Sequence, residues 1–422
     1  MAKIYQELNK LLVFRTLLKD NVIKGLLTLG DKGNSHEYEL AGSLIEWAEE
    51  NGATGSIPDN YFLGLLGRDE NIISLTAQRT NIVIDSGLIK AVVHDIGIIQ
   101  SLLQPTLSGL FSQEIRAIIE DYKPASSKDA MKSNRLRYLA DFKQLFLSNN
   151  PRPSKEEIAK ALIQHYHRYG CGRLAGFSAF RWNAERRELV GVEHSDTVQL
   201  QDIIGYEYQK AELVRNSEAF VQGRPANNVL LVGARGTGKS SSVKAVANRY
   251  SDKGLRLVEI SKSDFKYLPE IMSVLRQWDK KFIIFIDDLS FEEYEAEYKI
   301  LKSLIDGGVE VRPDNVLIYA TSNRRNLVKE TWEERGGNEL HRQDTINEKI
   351  SLADRFGITL FYTLPNQEEY FKIVEEIARK SRIHLTGAEL RSEALRWEMS
   401  HSGRSGRIAK QLIDYLAGEV AN

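Results

Sequence analysis

Hydrophobic residues recur every three or four positions over residues 4–167. This spacing places apolar side chains on one face of a helix, so we predict an all-helical amino-terminal domain over residues 1–170. Near its end, Ser154 and Glu157 have the spacing of a capping box, in which each residue bonds the backbone N–H of the other. A helix is therefore expected to begin directly after Ser154.

A different pattern follows the helical stretch. Residues 177–182 and 189–192 are short runs of strand-forming residues separated by a polar segment. Two such runs with a short polar connection are typical of a β-hairpin. We predict that residues 171–199 form a hairpin connector.

Beyond residue 200, short apolar runs alternate with helix-like stretches. The apolar runs cover residues 229–232, 255–260, 282–286, 316–320 and 358–362. Runs that are apolar on both faces indicate a parallel sheet covered by helices on both sides. We therefore predict an α/β domain with a five-stranded parallel sheet over residues 200–364, followed by a helical lid over residues 365–422.

The composition is that of an ordinary globular protein. Its 422 residues predict two or three domains, and the balance of 57 basic and 58 acidic residues requires neither a nucleic acid nor a membrane surface as partner. A single cysteine, Cys171, fits a reducing compartment. Charged residues interrupt the first apolar positions, so no signal peptide is expected, and no apolar run reaches the roughly 20 residues of a membrane span. These observations favour a cytoplasmic protein with no membrane partner.

The most specific motif is the run of residues 233–240, which follows the first apolar run of the α/β part and has the form GxxxxGK[ST]. Such a loop folds with its backbone N–H groups pointing inward around phosphates, while Lys239 reaches the β- and γ-phosphates and the Ser240 hydroxyl ligates Mg²⁺. Residues 241–250 are predicted to form a helix whose amino terminus also favours an anion. The predicted phosphate-binding residues are Gly233, Ala234, Arg235, Gly236, Thr237, Gly238, Lys239, Ser240 and Ser241.

Two other nucleotide classes fit this loop less well. The dinucleotide fingerprint GxGxxG needs a different glycine spacing from that at Gly233, Gly236 and Gly238. A guanine-reading loop is only faintly suggested by residues 261–264, which precede the predicted metal strand, whereas in GTPases that loop follows it. The sequence therefore favours ATP.

Polar residues follow two of the predicted strands. Asp287 and Asp288 come directly after residues 282–286, where the first is placed to hold Mg²⁺ and the second to orient and deprotonate the attacking water. Asn323 follows the next strand, and its neutral amide is able to bind water or the γ-phosphate without repulsion. We predict that Asn323 senses the terminal phosphate, although an asparagine is also common in turns.

Two segments carry arginines whose guanidinium groups are able to stabilise charge on a transferring phosphoryl group, although each arginine taken alone is as well explained as an ordinary surface charge. Arg355 precedes the last strand and is a candidate arginine finger. In the helical tail, a helix is predicted to begin near residue 403, and we favour Arg407 over Arg404 as the arginine that points back toward the nucleotide.

Taken in this order, the motifs of about residues 200–421 resemble those of the AAA+ ATPases, and they are most similar to a bacterial group catalogued as a domain of unknown function. The resemblance implies that Asn323 is sensor 1, Arg355 a finger acting on the neighbouring subunit, and Arg407 sensor 2. It also implies that the adenine pocket is lined by Ile203, Ile204, Gly205 and Tyr206.

We therefore expect an oligomeric AAA+ ATPase that binds ATP and Mg²⁺ and acts on an unknown protein or DNA partner. The alternative is a slowly hydrolysing, ATP-gated switch or loader, because Asp288 reaches less far than the commoner glutamate. A small-molecule phosphotransferase fits the two arginines less well. The charged residues 329–349 form an insertion that is either a solvated loop or a partner contact.

Overall fold

The computed structural model describes residues 7–29, 34–78, 84–104, 106–125, 139–148, 153–172, 175–192, 195–278, 280–289, 300–303, 305, 312–323, 355–383, 385–401 and 403–420. The insertion at residues 329–349 lies outside these ranges. Contacts divide the chain into two compact units. The first consists of Met1–Phe177, Val190–His194 and Trp278–Lys280, and the second of Ser178–Leu189, Ser195–Gln277 and Lys281–Asn422.

The first unit is built mainly from helices, as predicted. Their bounds are α1 Asn21–Leu27, α2 Asn34–Asn51, α3 Ile57–Leu66, α4 Ile72–Ala77, α5 Ser86–Leu103, α6 Gln113–Asp121, α7 Leu139–Leu147 and α8 Lys155–Tyr169. Their apolar faces share one core, to which Phe14, Phe62 and Leu162 contribute. The capping box at the start of α8 is confirmed, because the Ser154 hydroxyl accepts from the Glu157 N–H and the Glu157 carboxylate accepts from the Ser154 N–H.

Helix α5 is long and apolar enough to cross a membrane by length and composition alone. Its Val92 and Ile96 are nevertheless buried in the core of the first unit. Its Asp95 is fully buried and accepts hydrogen bonds from the backbone N–H groups of Val13 and Phe14, at 2.8 and 3.1 Å. A buried carboxylate needs such donors. Helix α5 is therefore a packed core helix of this unit.

The sheet has its phosphate-loop strand near one edge. The strands are β1 Ala179–Asn183, β2 Glu188–Gly191, β3 Val229–Gly233, β4 Leu255–Ile260, β5 Lys281–Ile286, β6 Val316–Ser322 and β7 Ile358–Tyr362, in the spatial order β2-β1-β4-β5-β6-β3-β7. Strand β3 pairs in parallel with β6 and β7, and β5 pairs in parallel with β6. The carboxyl ends of β3, β6 and β5 are consequently neighbours. This arrangement gathers the residues that follow these strands.

The predicted α/β fold is confirmed, with one correction to the number of strands. All five predicted strands are present, but the sheet has seven strands within the described residues, because the hairpin β1–β2 joins it. Strand β1 pairs in parallel with β4, so that Ala179 lies opposite Leu257. The side chains of Phe180 and Trp182 are buried in this strand. The physical reason is that β4 would otherwise present an unpaired edge, which β1 satisfies.

Helices cover the sheet of the second unit. They are α9 Glu207–Val221, α10 Lys239–Tyr250 and α11 Leu268–Arg276. Phe220 of α9 and Val243 of α10 pack with Leu231 and Phe285 of the sheet in one hydrophobic cluster. Burial of these apolar surfaces is the main stabilising contribution to such a layer. The rigid layer places the amino terminus of α10 at the carboxyl end of β3.

In the part of the carboxy-terminal lid that the structure describes, the helices are α12 Gln367–Lys380, α13 Gly387–Ser400 and α14 Gly406–Val420. They share a separate hydrophobic cluster that includes Tyr370, Val374 and Ile413. Capping boxes begin α12 at Asn366 and α13 at Thr386, which defines where each helix starts. The lid is therefore helical, as predicted.

Candidate functional site

The loop after β3 has the shape that the motif predicts. Strand β3 ends at Gly233 and α10 begins at Lys239, two residues before the predicted helix start. Gly236 and Gly238 have φ angles of 77° and 89°, a region that favours glycine. A side chain at Gly233 would collide with the backbone carbonyl of Tyr362. The glycines therefore permit both the tight turn and the close approach of β7.

Lys239 is held inside this loop. It is 6% exposed, and its Nζ donates to the carbonyl oxygens of Gly233 at 2.8 Å and Ala234 at 2.7 Å and to Asn323 Oδ1 at 3.0 Å. Burial lowers the pKa of the Lys239 ammonium below its usual range, whereas Asp287 and Asp288 act in the opposite direction. All three acceptors are groups that phosphate oxygens are able to replace.

A hydroxyl group and a carboxylate that are both able to bind a metal ion meet beside the loop. Ser240 Oγ donates to Asp287 Oδ1 at 2.6 Å, and Thr321 Oγ1 donates to the same oxygen at 2.5 Å. Ser240 stands at the start of α10 and Asp287 directly after β5, so the pairing of β3 and β5 with β6 brings them together. A hydroxyl and a carboxylate are ligands that Mg²⁺ prefers. The donor set therefore fits that ion.

Asp288 stands next to this pair with a φ of 55°. Its N–H donates to Thr321 Oγ1 at 2.9 Å, and its Oδ1 accepts from Asn323 Nδ2 at 2.6 Å. Its Oδ2 lies 3.6 Å from Arg235 Nη2. Aspartate is among the few residues that tolerate this backbone region. The turn therefore directs the Asp288 carboxylate toward the loop and the end of β6.

The start of α14 touches the phosphate loop. A Cβ added to Gly236 would lie 2.7 Å from Ser405 Oγ and 3.1 Å from Arg407 Cβ. Arg407 lines the cavity between sheet and lid. Arg404 instead donates to Glu398 at 2.7 Å. The structure thus brings Arg407, and not Arg404, to the cavity.

A cavity of about 710 Å³ extends from the loop to the lid. That volume is in the range of small-molecule sites. Ile203, Ile204 and Tyr206 line it, and Gly205 lies between the last two along the chain. From the lid, the lining residues are Ile373, Ile377, Lys380, Ser381, Gly406, Arg407 and Lys410. Isoleucines from the segment before α9 and from α12 give this part of the cavity an apolar surface.

Arg355 does not belong to this group. It lies just before β7 and is not among the described residues that line the cavity of its own chain. This position is compatible with action on another subunit, which stays a prediction.

Sequence reasoning assigned no role to several residues that the fold brings to the site. Thr321 bonds both Asp287 and the backbone of Asp288, and its only signal is its position directly after an apolar strand. Lys380 and Asp202 both line the cavity, and Lys380 Nζ donates to Asp202 Oδ1 at 2.7 Å. This contact lowers the pKa of Asp202. Nothing in the spacing of Lys380 distinguishes it from a solvated helix residue.

The strand order, the loop between β3 and α10 and the helical lid define a P-loop nucleotide-binding fold of the AAA+ class. Residues 175–420 match the family model described as "Protein of unknown function (DUF815)". This match covers more than half of the chain, so the chain belongs to that family. Comparison with curated proteins found no match.

Solved structures with partial similarity include the RuvB Holliday junction branch migration motor of Thermotoga maritima. It is 20% identical over 51% of this chain and 63% of that chain, with a TM-score of 0.35. The chain therefore spans less than two thirds of the RuvB structure. The AAA domain of FIGL-1 in complex with ADP is 24% identical over 53% of this chain and 74% of that chain, with a TM-score of 0.34.

Proposed function

We propose that this protein is a Mg²⁺-dependent ATPase of the AAA+ class, which assembles as a homo-oligomer and couples ATP hydrolysis to remodelling of a macromolecular partner. The observation that carries the proposal is the 2.6 Å contact between Ser240 Oγ and Asp287 Oδ1 beside the loop of Lys239. Cation ligands and a phosphate-binding loop meet at one point, which is what a triphosphate with its metal ion requires.

Each residue of the site has a separate task in this proposal. Lys239 and the loop N–H groups bind the β- and γ-phosphates, while Ser240 and Asp287 hold Mg²⁺, which neutralises charge on the phosphates. Asp288 accepts the proton of the attacking water, and Asn323 orients that water. The contacts of Asp288 and Asn323 strengthen as charge develops in the transition state, so they raise the turnover rate. The loop binds the phosphates before and during the reaction, so it contributes mainly to nucleotide affinity.

The rest of the chain completes the proposal. Ile203, Ile204, Gly205 and Tyr206 receive the adenine, and Arg407 contacts the phosphates from the lid. Arg355 acts as the finger in the site of the neighbouring subunit, a contribution of roughly 10³ to 10⁵ in rate in related systems.

The proposed division of the chain follows from these tasks. The helical residues 1–170 bind the partner, a protein or DNA, and 171–199 connect them to the nucleotide-binding residues 200–364 and the lid 365–422. We place the protein in the cytoplasm, where ATP and a reduced Cys171 are expected.

A second function is favoured by one observation at Asp288. Both of its carboxylate oxygens face donors of the protein, Asn323 and Arg235. A carboxylate that contacts both donors is not free to accept the proton of the attacking water, so hydrolysis is slow unless these contacts change. In this alternative the protein is an ATP-gated switch or loader whose ATP-bound state recruits its partner.

One pair of measurements tests the proposal and separates the two functions. Mg²⁺-dependent ATP binding should be lost or nearly lost in Lys239→Ala and retained in Lys253→Ala, in which an exposed lysine beyond the same helix is removed. Tight ATP binding by the Lys239 variant would contradict the site. Phosphate release on the order of 1 s⁻¹ without partner favours the motor, whereas rates far below this that rise with single-stranded or duplex DNA favour the switch.

A further inference from the structure

Arg235 occupies a position of the phosphate loop that the motif leaves open. It is the third residue of the run 233–240, and any side chain satisfies the pattern there. Its own side chain is 76% exposed and lines the cavity, yet its Nη2 reaches to 3.6 Å from Asp288 Oδ2. A long cation on the phosphate loop therefore lies beside the carboxylate that is expected to be catalytic.

Asp288 is held from two directions. Asn323 Nδ2 donates to one oxygen at 2.6 Å, and Arg235 faces the other. The ion pair with Arg235 is largely solvated, since the Asp288 side chain is 54% exposed. Exposed pairs of this kind are weak. A bound anion that carries more charge than a carboxylate is therefore able to replace Asp288 as the partner of Arg235.

The two cations of the loop belong to one chain of contacts. Lys239 Nζ donates to Asn323 Oδ1 at 3.0 Å, Asn323 Nδ2 donates to Asp288 Oδ1, and Asp288 Oδ2 faces Arg235. Lys239 and Arg235, at the two ends of this series of contacts, are both groups that bind phosphate. Phosphate oxygens that engage Lys239 and Arg235 therefore loosen the contacts of Asn323 and Asp288 together.

We propose that Arg235 is a positioning residue that senses the terminal phosphate: it pairs with Asp288 while that phosphate is absent and turns to the phosphate when it is present, leaving Asp288 free to accept the proton of the attacking water. This inference rests on the proposed function. A diphosphate lacks the group that draws Arg235 away, so the site distinguishes ATP from ADP through this residue.

The test compares the binding of two nucleotides to the whole 422-residue chain in the presence of Mg²⁺. Dissociation constants for the non-hydrolysable β,γ-imido analogue of ATP and for ADP are measured by calorimetry for the wild type, Arg235→Gln, Arg235→Lys and Arg249→Gln. Arg235→Gln should weaken binding of the analogue about tenfold, which corresponds to the loss of one charge-assisted hydrogen bond. It should weaken binding of ADP by less than about twofold. Arg235→Lys should recover part of the loss. Arg249→Gln, the same charge change at an exposed site on α10, should change neither constant.

A double-variant cycle tests the pairing with Asp288. Asp288→Asn should tighten binding of the analogue about threefold in the presence of Arg235, because the arginine is released, and this gain should disappear in Arg235→Gln/Asp288→Asn. An equal gain in both backgrounds would overturn the pairing.

Other outcomes separate the inference from the function on which it rests. Equal weakening of both nucleotides, or no change in either, would overturn the role of Arg235 while leaving the ATP site intact. A wild-type protein that binds neither nucleotide would overturn the proposed function and this inference with it.

Discussion

Removal of one buried hydroxyl should weaken the proposed metal site without damaging the fold. Thr321 is 1% exposed, and its hydroxyl donates to Asp287 Oδ1 and accepts from the Asp288 N–H at 2.9 Å. Thr321→Val keeps the shape of the side chain and deletes both hydrogen bonds. Thr321→Ser keeps the hydroxyl and deletes only a methyl group. The pair of variants therefore isolates the hydrogen bonds from the packing.

Two independent estimates give the expected loss of Mg²⁺ affinity in Thr321→Val. A hydrogen bond to a charged group is worth about 1.5–3 kcal/mol, which is tenfold or more in affinity. Loss of a partner that orients a metal ligand typically costs about 10- to 100-fold in metal affinity. The Thr321 hydroxyl bonds Asp287 both before and after a metal ion binds, so part of the hydrogen-bond energy does not contribute to metal affinity. We expect the lower end, about tenfold, for Thr321→Val.

The assay is a titration of Mg²⁺ into protein with ADP, together with ADP binding in the presence of a chelator. Thr321→Val should weaken the Mg²⁺-dependent part about tenfold and leave binding without Mg²⁺ unchanged, whereas Thr321→Ser should stay within about threefold of the wild type. Equal Mg²⁺ affinity in the valine variant and the wild type would refute the role of Thr321. An equal loss with and without Mg²⁺ would point to a disturbed loop instead.

Three further outcomes are expected. Arg355→Ala should bind ATP but lose turnover, and mixing it with Asp288→Asn should restore activity; co-assembled mixtures that stay inactive would argue against action between subunits. Burial lowers the pKa of His165 from 6.5 to about 4, so the unfolded chain binds more protons between these values and stability falls as the pH drops through this window. Measured by hydrogen exchange in α8, the free energy of unfolding should fall by about 2 kcal/mol between pH 7.5 and 5, and it should fall much less in His165→Gln. Equal losses in both proteins would contradict the burial of a neutral imidazole. Gly236→Ala should weaken nucleotide binding because the new Cβ meets the lid, whereas Gly223→Ala, with a similar positive φ and open space around it, should not; equal affinity in both variants would exclude the lid contact.

Much of the second unit follows from local patterns. The five apolar strands, the loop after β3 and the capped helices depend on residues that are neighbours along the chain, and all are present. The added strands β1 and β2 show the limit of that reasoning. The hairpin pattern was visible in the sequence, but its pairing with β4 depends on an edge that exists only once the sheet has formed.

The same limit applies at the site. Lys239, Ser240 and Asp287 were predictable because a motif and a strand end prescribe the chemistry at their positions. Ile373 and Ile377 were not, since their spacing on α12 is that of any helix with a buried face. The ion pair between Arg235 and Asp288 joins residues far apart in the chain, and Asp288 has a positive φ that its sequence position does not predict.

The sequence by itself determined the class of fold, the phosphate loop and the identity of the candidate metal ligands, because these depend on short-range periodicity and on residue chemistry at stated spacings. Only the tertiary structure decided that Thr321 supports Asp287 and that Arg235 reaches Asp288, whereas Arg407, which lines the cavity, was already favoured over Arg404 from the sequence. Those contacts arise from parallel pairing of β3, β5 and β6 and from the docking of the lid, both of which bring together residues that are distant along the chain.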